Sequence, residues 1–128
     1  MKRVYLASKL EHEPLLHDFR VSLRADVIVV SRWLDMTSFE KKGTPADFVW
    51  CWLVDENDVR KCDILVVFGK TEDQLRGALV EVGMAIALGK LVIAVGDCKS
   101  YGSWQYHPQV IRVDNFSQAR QIIEEWRV

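Results

Sequence analysis

Three things are scarce in this 128-residue chain: cysteine, an excess of either charge, and long apolar runs. The cysteines are Cys51, Cys62 and Cys98 alone. Their number is odd and none are spaced as Cys-x-x-Cys. They read as reduced cytosolic thiols, not as a disulfide framework or a zinc site. Lys and Arg number 17 against 18 Asp and Glu, a net charge of −1. No basic excess exists to grip a phosphate backbone, which argues against polymeric nucleic acid as a partner. After Met1-Lys2-Arg3 the first apolar run is only Val4 to Ala7, too short for a secretory signal. Gly77 to Gly96 has the length of a membrane span, about twenty residues, but Glu81 and Lys90 interrupt it. It reads as a buried helix followed by a buried strand. The expectation is a cytoplasmic protein with no membrane partner.

Familiar cofactor motifs are also missing. His12, His17 and His107 show no ligand spacing such as His-x-x-x-His, so no metal site is indicated. No Gly-x-Gly-x-x-Gly follows the first strand, and no Walker A motif occurs.

What is present is a regular series of short apolar runs. Arg3–Ala7, Asp26–Val30, Asp63–Phe68, Leu91–Val95 and Val110–Val113 are continuous in Val, Ile and Leu and do not alternate with polar residues. That pattern suits strands covered on both faces, as in a parallel sheet. Between them lie helical patterns over Glu13–Arg24, Pro45–Lys61, Leu75–Leu88 and Ser117–Arg127. Pro45 suits a first turn, Gly89 a residue just past a helix end, and Ser117 an N-cap. Strands alternating with helices predict one domain spanning residues 1–128. Its fold would be α/β, flavodoxin-like and doubly wound, with a five-stranded parallel sheet and helices on both faces. The irregular stretches Trp33–Thr44 and Asp97–Pro108 follow strands and belong at the carboxyl edge, where such sheets bind ligands.

Glu81 stands out chemically. From Gly77 to Gly89 every other residue is apolar or glycine. A carboxylate there loses solvation and must find a partner or take up a proton. It is either a functional acid or a structural cap. The small residues around it, Gly77, Ala78 and Gly83, keep the helix surface low enough for close approach of a ligand.

Gly77-Ala78-Leu79-Val80-Glu81-Val82-Gly83, followed by Gly89-Lys90-Leu91-Val92-Ile93, resembles the Gly-x-x-x-Glu-x-Gly segment and Gly-Lys-x-Val-Ile strand of the nucleoside 2-deoxyribosyltransferase family. Val4-Tyr5-Leu6-Ala7 and Asp63–Phe68 resemble its first and third strands. The family includes nucleotide N-glycosidases that hydrolyse the same bond. The resemblance implies that Glu81 is a nucleophile attacking the anomeric carbon of a (deoxy)nucleoside or nucleotide. The resulting covalent glycosyl-enzyme is then resolved by a second base or by water. It implies a second carboxylate eight residues before Asp63, at Asp55, with Asp58 as a competitor. It implies a pocket role for Tyr5 at the first strand, and sugar or phosphate contacts around Ser8, where the family often has glycine. It also implies no cofactor and a homodimer or higher homo-oligomer that completes each site with a neighbour's residues.

Five tryptophans occur, Trp33, Trp50, Trp52, Trp104 and Trp126. Trp33 follows the second strand and suits a base-stacking wall, and one of Trp50 and Trp52 suits the pocket. Lys9, Arg32, Lys70 and Arg76 are candidate phosphate ligands. Arg76 is the best placed, because it precedes Gly77 and the Glu81 helix, where free amides favour anions. Glu72 and Asp73 beside it would repel a phosphate, so nucleoside and nucleotide both stay open. So do transfer and hydrolysis, and, as a rival of another class, a non-catalytic nucleotide sensor on the same fold.

Overall fold

The computed structural model describes residues 1–36 and 43–127. Residues 37–42, inside the irregular stretch expected at Trp33–Thr44, lie outside the described residues. Five parallel strands form one sheet: β1 (Lys2–Ala7), β2 (Val27–Val29), β3 (Ile64–Phe68), β4 (Leu91–Val95) and β5 (Val110–Val113). Their order is β2-β1-β3-β4-β5, the doubly wound order predicted for a flavodoxin-like sheet. Ile64 pairs with Leu91, so β3 and β4 start level, whereas Ile64 pairs with Val4, two residues into β1.

Burial follows that order. Val4 to Ala7 of β1, Ile64 to Val67 of β3 and Val92 to Ala94 of β4 are fully buried, whereas the edge strands expose Ile28 and Ile111. Each such Val, Leu or Ile contributes about 1.5–3 kcal/mol of transfer free energy. The unbroken apolar runs are therefore the sequence cost of a sheet covered on both faces.

Four helices cover it among the described residues: α1 (Glu13–Ser22), α2 (Pro45–Lys61), α3 (Gly77–Ala87) and α4 (Phe116–Glu125). Right-handed crossovers fix their sides. The chain moves one way from β1 to β2 and the other way from β2 through β3 to β4. So α2 and α3 share one face, where they pack together and against β1. On the other face α1 meets α4, with the Phe19 and Phe116 rings 4.8 Å apart.

The ends have local causes. Thr44 caps α2 by accepting from the Asp47 amide, and Asp47 returns the bond, with Pro45 in the first turn. Gly89 follows α3 at φ +74°, the left-handed position that favours glycine. Two expectations need correction. The cap of α4 is Asn115, whose side chain accepts from the Gln118 amide, and not Ser117. And α3 is buried on one side only: Ala78, Glu81, Val82 and Ala85 face inward, while Val80 is 52% exposed. No described helix is long and apolar enough to cross a membrane.

Candidate active site

At the carboxyl edge the strand order reverses between β1 and β3, since the chain leaves β1 towards β2 and leaves β3 towards β4. Doubly wound sheets bind ligands at this crevice. A cavity of about 620 Å³ opens there, lined from the segment after β1, from α2, and from the loop into α3. Its size suits a small organic molecule.

Glu81 reaches the cavity from the second turn of α3 and is only 5% exposed. Tyr5 of β1 donates its phenol hydrogen to Glu81 Oε2. Tyr5 does not line the cavity. It is fully buried and holds the carboxyl group from behind. Burial first, and then the negative charges of Glu81 and Asp55, push the Tyr5 phenol well above its usual value of 10.0. It therefore remains a hydrogen donor to Glu81.

Asp55 and Asp58 part company in the structure. Both lie on α2 and both are buried. Asp55 lines the cavity. Asp58 turns away to Arg32, accepting from its backbone amide at 3.0 Å and pairing with its guanidinium at 2.9 Å. That pairing commits Asp58 to Arg32, and neither residue is on the cavity wall; Asp55 is the carboxylate of the two that faces the cavity. Phe48, Cys51, Trp52 and Asp55 all line the cavity. Their spacing of i, i+3, i+4 and i+7 is one helix face, a signal in the sequence that Phe48 and Cys51 were part of the wall. Trp52 is the tryptophan of its pair that reaches the pocket; Trp50 does not. The Trp52 ring also covers Gly77, where an added Cβ would sit 3.6 Å from it.

Ser8 lines the cavity and donates to the Phe68 carbonyl at 2.7 Å, which ties the ends of β1 and β3 together. Trp33 lines it too, but its indole N–H is spent on the Leu6 carbonyl at 2.7 Å. Arg76 and Gly77 stand at the start of α3 on the cavity wall. Lys9 is on the wall as well, but its ammonium pairs with Glu11 at 2.8 Å and lies 3.8 Å from Asp73. Lys70 is exposed and outside the lining.

Glu11, His12 and Asp73 offer possible metal-ligand atoms within 4.8 Å of one another, the one such group among the described residues. Sequence spacing could not show it, because Asp73 is 61 positions from His12. The Lys9 ammonium already supplies a cation there.

No family model and no curated protein matches the chain. Solved structures do. The 2-deoxyribosyltransferase of the psychrotolerant bacterium Bacillus psychrosaccharolyticus superposes with a TM-score of 0.71 at 16% identity, over 92% of this chain and 90% of that one. The CMP N-glycosidase of Clostridium botulinum does so with a TM-score of 0.59 at 19% identity, over 98% and 100%. At these identities the likeness is one of fold: this chain has the doubly wound α/β architecture on which both proteins are built.

Proposed function

We propose that this protein is an enzyme that cleaves or exchanges the N-glycosidic bond of a (deoxy)nucleoside or nucleotide, using Glu81 as nucleophile. The observation that carries the reading is the Glu81 carboxyl group, presented to a cavity at the switch point and held from behind by Tyr5. The fold shared with a 2-deoxyribosyltransferase and a CMP N-glycosidase supports it. In the first step a Glu81 oxygen bonds to the anomeric carbon. The bond from that carbon to the base nitrogen breaks, and the base leaves with the electron pair. Asp55, the other carboxyl group on the cavity wall, gives a proton to the leaving base in this step and takes one from the incoming base or water in the next. In the second step a nitrogen of another base, or water, attacks the anomeric carbon and frees Glu81. Ser8, Gly77 and Trp33 shape the sugar and base walls.

Arg76 would receive a 5′-phosphate. Among the described residues no ion pair engages it, in contrast to Lys9 and Arg32, and it lies beside the first amides of α3. That observation favours a nucleotide substrate as the second reading within the same chemistry. The site needs no cofactor. The protein works in the cytoplasm as one domain and as a homodimer or higher homo-oligomer, in keeping with its three free cysteines and its exposed apolar residues on α2 and α3.

The test is chromatography of ribo- and deoxyribonucleosides and their 5′-monophosphates, incubated with wild type and with Glu81→Ala, each with and without a free acceptor base. Base release or exchange that disappears in the variant supports glycosyl chemistry. Dependence on the acceptor separates transfer from hydrolysis. A panel that binds but is returned unchanged sinks the enzyme reading in favour of a nucleotide sensor.

A further inference from the structure

The cavity mouth is built from two loops that belong to different crossovers. One follows β1 and carries Ser8, Lys9 and Glu11; the other follows β3 and carries Gln74, Leu75 and Arg76. Where they meet, His12 Nε2 lies 2.6 Å from Asp73 Oδ2. Both side chains are nearly out of solvent, at 6% and 12% exposure. Neither residue lines the cavity itself.

Asp73 is a hub. The same Oδ2 accepts from the Lys70 amide at 2.7 Å, and its own carbonyl accepts from the Ser100 hydroxyl, which in turn accepts from the Leu75 amide at 3.0 Å. The second loop is thus held on its far side by the segment after β4, and on its near side by His12. Partial burial alone would raise the Asp73 carboxyl, but His12, the Lys70 amide and Lys9 outweigh it and hold it below its usual range. It is therefore an anion, and the bond from His12 is a charge-assisted one, with the imidazole donating. The imidazole is fixed in turn by its edge-on contact with Phe68, 5.2 Å between ring centres.

We propose that His12 and Asp73 are a positioning pair that clasps the two mouth loops in their substrate-binding arrangement, so that they set affinity and not the chemical step. The assignment rests on the function proposed above. Its logic is spatial. Glu81, Tyr5 and Asp55 are carried by α3, β1 and α2, which do not depend on the clasp. Lys9, Glu11, Gln74 and Arg76 are carried by the loops it joins.

The experiment compares wild type with His12→Phe, which keeps a ring against Phe68 but cannot donate, and with His12→Gln, which restores an N–H donor. Two readouts are taken. Amide hydrogen exchange at Lys70 and Leu75 needs no substrate. Steady-state kinetics use the best substrate of the nucleoside and nucleotide panel. Expected for His12→Phe are exchange faster by about tenfold and KM raised about tenfold with kcat within about twofold. His12→Gln should return both towards wild type. Unchanged exchange in His12→Phe overturns the clasp. So does an unchanged KM, a fall confined to kcat, or a Gln variant no better than Phe. If nothing in the panel reacts, the glycosyl reading fails by itself and the exchange result still decides the clasp.

Discussion

Tyr5 hydrogen-bonds Glu81 across 76 positions of sequence, joining the first strand to the helix after the third. The pair makes the two residues one chemical unit: the phenol supplies a proton donor that water cannot replace in a buried place. A hydrogen bond to a charged group is worth about 1.5–3 kcal/mol. Tyr5→Phe, which keeps the ring, should therefore lower kcat/KM by about ten- to a hundredfold, if the whole value is lost in the transition state. Kinetics at neutral pH check it, and an unaltered rate would detach Tyr5 from the reaction.

The same pair predicts alkaline behaviour. The unfolded chain releases the phenol proton near pH 10.0, whereas the folded protein keeps it to higher pH. A raised folded value gives stability that is complete below the unfolded value and is lost as pH rises through the folded one. Burial raises Cys62, to about 12, and Tyr101 in the same sense. Melting temperature should fall with rising pH between about pH 9 and 11, and Tyr5→Phe should make the fall shallower without removing it. Thermal melts by circular dichroism across that range decide it; equal slopes would contradict the assignment.

Asp55 and Asp58 predict opposite phenotypes. Asp58→Asn weakens the hold on Arg32, whose guanidinium is half-exposed, so the cost should stay near 1.5–3 kcal/mol and appear in melts. The folded fraction should keep most of its kcat. Asp55→Asn should melt close to wild type and lose about a hundredfold or more in kcat. Reversal of the two patterns would return Asp58 to the acid role.

How much of this was legible in the sequence differs by level. The five strands and the span of α2 could be read, because a sheet covered on both faces demands unbroken apolar runs and Pro45 suits a first helical turn; the Thr44 cap was not read. Glu81 was visible as one charge in an apolar stretch, and Arg76 and Gly77 as its neighbours at the helix start. Between Asp55 and Asp58 the resemblance chose Asp55 by its spacing from Asp63, but helical periodicity left Asp58 as a competitor. They are three residues apart on one helix, and in the structure Asp55 lines the cavity while Asp58 turns to Arg32, which comes from another crossover. The His12–Asp73 contact was not visible; it exists because two loops converge after strands adjacent in space and distant in sequence. Asn115 displaced Ser117 as a cap for a local reason: its side chain is the one that reaches the Gln118 amide.

Gly96 tests the edge that shapes the cavity. It follows β4 at φ +89°, and a Cβ there would stand 2.8 Å from the Gly69 carbonyl oxygen, a backbone atom that cannot swing away. Gly69 begins the loop that leads to Gln74 and Arg76. Gly96→Ala should cost about 1–3 kcal/mol through the left-handed backbone and the close approach together. Urea unfolding measures the loss, and a variant as stable as wild type would show that the two strand ends can part without strain.

On α2, Val49 and Leu53 are 62% and 63% exposed and stand one turn apart, and Val80 of the adjoining α3 is exposed as well. Apolar side chains concentrated in this way mark a contact surface more than a solvated one. The same helix carries Phe48 and Trp52 on the cavity wall, so a second copy of the chain seated on α2 would also close the mouth from outside. Charge placed in that contact should be rejected, since a lysine ammonium loses its hydration there without gaining a partner. Wild type should elute as a dimer or larger by light scattering, and Val49→Lys combined with Leu53→Lys as a monomer. The double variant should also raise KM, because a second copy seated on α2 would form part of the mouth, while Glu81 and Asp55 stay in place. A wild type that is monomeric at micromolar concentration, with KM untouched by the two lysines, would leave the cavity complete within one chain and assign the exposed face to some other partner.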